Sequence, residues 1–205
     1  MEYYPYVFHP ITVLGIGITV LVYHVWRLQN IDKSMLWHRI AAFFGSGLLS
    51  LVPTVAYVFV TGTRLMEVTE GNMWQVDALV ASGMVISASV TWYLWRRFEW
   101  GSLVPNAMQI LIVVTIPYMA LSPFWNISGH VIIALMPTLY LTLVARKFWP
   151  LLAIPVVMVP NRIVLDAHTW GQAVGGFFIT AVIVVALYQL QVDGSSHIDA
   201  EPAAP

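Results

Sequence analysis

The chain has no cysteine, which excludes disulfides, thiolate metal sites and cysteine nucleophiles together. It also has little charge. Only 9% of its 205 residues are Asp, Glu, Lys or Arg, where a water-soluble domain carries about 25%. Too few polar side chains remain to cover a surface facing water, and lipid is the solvent that fits. With a net charge of −1 and no basic patch, nothing points to nucleic acid. Lysine is confined to Lys33 and Lys147. The start, Met1-Glu2-Tyr3-Tyr4-Pro5-Tyr6, lacks a positive n-region, so the first apolar run is expected to be retained rather than cleaved as a signal.

What is abundant is apolar: 59% of the residues are hydrophobic and the mean hydropathy is +0.78. Apolar segments fall at roughly 7–26, 37–60, 75–95, 104–122, 129–145, 148–165 and 172–191. A span needs about 20 apolar residues. The expected fold is therefore an all-α polytopic membrane protein of about seven transmembrane helices. Residues 1–192 form one helical domain, and 193–205, rich in Ser, Ala and Pro, form a disordered tail. Only Arg146-Lys147 separates the fifth and sixth segments, which predicts a tight hairpin. Pro150, Pro155 and Pro160 predict a kinked or broken sixth helix.

Of the nine basic residues, all but Arg64 and Arg162 lie on alternate connections: Arg27, Lys33, Arg39, Arg96, Arg97, Arg146 and Lys147. By the positive-inside rule these mark the cytoplasmic side. The N-terminus is then outside a cell membrane and the C-terminus inside. The outward ends collect His9, Arg64, Asp77, His130, Arg162, Asp166 and His168. Polar residues at membrane depth mark function or pairing. The inward basic residues read as topology and snorkelling, and the tryptophans near span ends as an aromatic belt.

Two outward stretches carry a pattern: Asn126-Ile127-Ser128-Gly129-His130, and Asn161-Arg162 followed by Asp166 and His168. Here the sequence resembles the type 2 phosphatidic acid phosphatase superfamily, relatives of the bacterial acid phosphatases and vanadium haloperoxidases. The family pattern is Lys-x6-Arg-Pro, then Pro-Ser-Gly-His, then Ser-Arg-x5-His-x3-Asp. Ser128-Gly129-His130 matches most of the second part, and Arg162 with His168 matches the third. The resemblance spans about 121–180 and implies a six-helix lipid-phosphatase-like core made by the last six segments. The departures are Ile127 for Pro, Asn161 for Ser and Gln172 for Asp, and no Lys-x6-Arg-Pro occurs.

The resemblance implies a phosphatase or phosphotransferase acting on a phosphorylated lipid in the bilayer, with no cofactor or metal. His168 would be the nucleophile, forming a phospho-histidine. His130 would be the general acid and Arg162 the phosphate clamp. Ser128 and the Gly129 amide would bind phosphate oxygens at a helix N-terminus. Gln172 would stand beside the nucleophile, and Arg64 would replace a missing cation. The missing residues equally suit an inactive relative that binds lipid or serves as a subunit of a membrane complex, and a homo-oligomer stays open. A haem or metal protein is a further alternative, with His24 and His38 flanking the first connection. A retinal protein is excluded, because no lysine lies in the last segment. A transporter would want midplane charges beside the broken sixth helix, and none is present.

Overall fold

The structure, a computed structural model, describes residues 4, 8–62 and 74–198, with side chains through residue 193. Arg64 lies outside the described residues. Among these residues every regular element is helical.

Helix α1 (Pro10–Gln29) opens on a proline, whose missing N–H is no loss at a first turn, and ends at Asn30 in the left-handed conformation (φ 50°). Helix α2 (Lys33–Leu48) passes through a 3-10 turn (Leu49–Leu51) into α3 (Val52–Thr61). Helices α4 (Trp74–Arg97) and α5 (Leu103–Trp125) follow as a long pair. Helix α6 (Gly129–Val144) stops at Ala145, whose backbone is extended. The chain then runs through a 3-10 segment (Arg146–Leu152) into α7 (Ala153–Val164). Helix α8 (Trp170–Ile198) closes the bundle and continues past residue 192, where a disordered tail was expected to begin; residues 199–205 lie outside the described residues.

All seven apolar segments are helical, but they are not equivalent. Among the described residues, six helical stretches are long and apolar enough to cross a membrane. The exception is α6, with 16 residues. At 1.5 Å per residue it spans about 24 Å, short of a hydrocarbon core of about 30 Å. It is instead the central helix, packed by α1, α5, α7 and α8. Its side chains from Val131 to Pro137 are all buried, as a helix apolar all round requires. The expected break in the sixth segment is real. Pro150 lies inside the 3-10 stretch, and Pro160 inside α7.

Helix hydroxyls in this apolar interior bond back to their own helix: Thr138 to the Ala134 carbonyl (2.9 Å) and Ser46 to Ala42 (2.8 Å). At the basic end, buried Arg39 donates through Nη1 to Gln29 Oε1 (2.6 Å) and lies 5.7 Å over the Trp100 ring. Tyr140 donates to the Leu103 carbonyl (2.9 Å) and Tyr188 to Leu143 (3.0 Å). These bonds fasten one end of the bundle. The starts of α1, α4, α6 and α8 and the ends of α5 and α7 meet at the other.

Candidate functional site

Helix α5 ends on Asn126, left-handed at φ 45°, with its N–H bonded to the Ser122 carbonyl (3.2 Å). Asparagine tolerates that conformation better than most residues. The reversal takes three residues, and Ser128 then caps α6 with an extended backbone. The Ser128 N–H reaches the Gln172 carbonyl (3.4 Å), tying this turn to α8. Glycines permit the approach. A methyl on Gly129 would lie 2.5 Å from the Tyr118 hydroxyl, one on Gly175 2.5 Å from the Trp125 ring, and one on Gly176 3.3 Å from the Ser128 carbonyl. Tyr118 is itself fixed by donating to Asp77 Oδ1 (2.6 Å).

The end of α7 folds back by its own capping chemistry. Asp166 is left-handed (φ 52°), its N–H bonds the Ile163 carbonyl (3.0 Å), and the Ala167 N–H bonds Arg162 (3.1 Å). This pair of bonds is a Schellman motif. The His168 N–H also reaches the Arg162 carbonyl (3.3 Å), so the histidine is held beside the arginine. Asp166 is exposed, and its place in the motif is conformational.

The two turns then join. His168 Nδ1 lies 3.0 Å from the Asn126 carbonyl. A carbonyl only accepts, so Nδ1 carries the proton and Nε2 keeps its lone pair. Burial pushes the imidazole below the ordinary histidine value of 6.5, with the Asn126 bond working against it. His130 has Arg162, His9 and His168 as its electrostatic neighbours. The His9 and His130 rings meet edge to face at 6.1 Å.

Arg162 is 7% exposed and Ser128 fully buried. Among the described residues the Arg162 Nε and the Ser128 hydroxyl have no hydrogen-bond partner, and no carboxylate pairs with this guanidinium. The contrast with Arg39 is informative. Both arginines are buried, but Arg39 is held by Gln29 and Trp100. Beside Arg162 lies the first turn of α6, whose leading amides have no partners within the helix and whose cap makes no side-chain bond. An uncompensated buried cation, free donors and a helix N-terminus make a receptor for a small oxyanion.

The structure thus brings together Ser128, Gly129, His130, Arg162, His168 and Gln172. Gln172 has a further task. Its Oε1 accepts from the Thr169 N–H (2.9 Å), while the Thr169 hydroxyl accepts from the Gln172 N–H (3.4 Å). That reciprocal pair is a capping box, and Thr169-x-x-Gln172 is its sequence signature. Three participants went unassigned in the sequence: His9 beside His130, the Asp77–Tyr118 bond under Gly129, and the Asn126 carbonyl behind His168. His9-Pro10 at a helix start was a usable signal. A backbone carbonyl leaves none.

The histidines of the haem alternative each contact another group. His24 packs edge-on against Phe148 (5.5 Å), and His38 Nδ1 meets its own helix at the Ser34 carbonyl (2.8 Å). Among the described residues no group of three or more His, Asp or Glu is placed to share a metal ion. Compared with protein-family models, curated proteins and solved structures, the chain matches none.

Proposed function

We propose that this chain is an integral membrane phosphatase or phosphotransferase of the type 2 phosphatidic acid phosphatase kind, acting on a phosphorylated lipid. The observation that carries the reading is Arg162: buried, without a carboxylate partner among the described residues, and grouped with two imidazoles and a serine hydroxyl that has no partner there. A phosphate group answers all of these at once.

In the first step His168 Nε2 attacks phosphorus, a P–N bond forms and the P–O bond to the lipid breaks. His130 gives its proton to the departing oxygen. Arg162 gathers the phosphate oxygens through its planar fork. Burial first and the Arg162 charge second work against a proton on His130, and the bound anion offsets the second. In the second step water or another alcohol attacks, the P–N bond breaks and His130 takes back a proton. The Asn126 carbonyl orients His168 as a carboxylate would, but without its charge. The neutral acceptor lowers the rate in this mechanism, since the triad carboxylate of serine proteases contributes about 10⁴.

In this reading the site faces outward from a cell membrane, which the alternation of basic residues supports. The same neutral acceptor favours a second reading, a relative that binds lipid phosphate without turnover. Phosphate release from a panel of lipid phosphates separates the two. The enzymatic reading expects release by wild type and its loss in His168→Ala. Equal rates in both proteins would end it.

A further inference from the structure

Between α1, α2, α4 and α5 lies a groove of about 310 Å³ that none of the site residues lines. Its floor is buried and apolar: Ile18 is 1% exposed, Ala88 1% and Met108 2%. Its rim is open to the side, with Ile11 56%, Phe44 54% and Leu48 69% exposed. Two glycines hold it open. A methyl on Gly15 or on Gly47 would meet nothing within 4 Å. The Ser50 hydroxyl at its edge already donates to the Gly47 carbonyl (2.7 Å), so it offers a ligand no proton.

The groove begins where the oxyanion site ends. Ile11 follows His9 by two residues, and Val80 lies about one turn along α4 from Asp77, which holds Tyr118 against Gly129. From Val80 to Ala88 it continues for about 12 Å along α4, toward the basic end of the bundle. We infer that this groove takes one hydrocarbon chain of the lipid whose phosphate sits at Arg162. The inference rests on the phosphate reading of that site.

Apolarity alone gives no selection within a bilayer, where the surrounding tails are equally apolar. Shape and continuity supply it. An unfilled groove loses dispersion contacts along its lining, and a chain tethered to a phosphate held at the site fills it without a separate binding event. The volume stands at the low end of ligand cavities, about 300–1,000 Å³, which suits one chain rather than two. The assigned substrate class is a phosphate monoester with a single chain in the groove; a second chain, if present, stays in the bilayer.

The test uses the full-length protein in detergent and a dodecyl phosphate bearing a photoreactive diazirine at its chain end. Irradiation is expected to mark groove residues such as Phe43, Met84 and Met108. Gly15→Leu with Gly47→Leu fills the groove and should cut that labelling about tenfold or more, while hydrolysis of water-soluble phenyl phosphate stays unchanged. Label confined to the outward face of α8, at Phe178 and Val182, would overturn the inference, as would unchanged labelling in the filled variant. The wild-type label map stands even if the double variant misfolds. Groove labelling without any phosphate release sinks the enzyme and keeps the groove. Release with label elsewhere does the reverse.

Discussion

A guanidinium that is 7% exposed, with no carboxylate beside it among the described residues, raises the free energy of the protein while its site is empty. Two outcomes follow for Arg162. Inorganic phosphate should raise the melting temperature of the detergent-solubilised protein, by about 2.7 kcal/mol of added stability at a concentration of 100 Kd. Arg162→Met should leave the unliganded protein as stable or more so, yet remove the phosphate response and nearly all turnover. Thermal shift with and without phosphate checks both. Destabilisation by Arg162→Met would show that the guanidinium has a structural partner. His168 adds a pH dependence. Burial lowers its pKa, so the neutral nucleophile is lost only as pH falls below the ordinary histidine value of 6.5. The acidic limb of kcat/KM should therefore lie below that value. A limb above it would assign the titration to another group.

Helix ends do most of the positioning, and their chemistry separates structural residues from functional ones. Asp166 stands near both Arg162 and His168 in sequence, which invites a catalytic role. In the fold it is the left-handed residue of a Schellman motif. Asp166→Gly should then keep full activity and gain up to about 1 kcal/mol, since glycine enters that conformation without a Cβ penalty. Asp166→Val should lose stability by about 1–2 kcal/mol. A large loss of turnover in a well-folded Asp166→Gly protein would give the carboxylate a role in the chemistry. Gly129 works the other way. Its hydrogen faces the Tyr118 hydroxyl, so Gly129→Ala must push Tyr118 off Asp77 or tilt the start of α6. A cost of about 1–3 kcal/mol is expected, together with reduced turnover although every charged site residue is still present.

At the scale of the whole molecule, the apolar runs were legible because a helix in lipid must satisfy its own backbone and show apolar side chains. The broken sixth segment was legible from its prolines. The length of α6 was legible too, at 129–145 against Gly129–Val144, but its place at the centre was not, because a buried central helix and a span share the same composition. In the site, Ser128, His130, Arg162 and His168 were readable as residue types at helix ends. Their convergence through the Asn126 carbonyl was not, since it depends on two turns meeting in space. Gln172 was expected beside His168, and its side chain bonds that imidazole; its capping pair with Thr169 was not foreseen. Phospho-histidine formation is the claim on which the proposed chemistry rests, and trapping the intermediate tests it directly. In His130→Ala with nitrophenyl phosphate as substrate, nitrophenolate leaves without needing a proton, while the second step is slowed. An alkaline quench and peptide mapping should then find the phosphoryl group on His168. Continued turnover with His168 unmodified would contradict the mechanism.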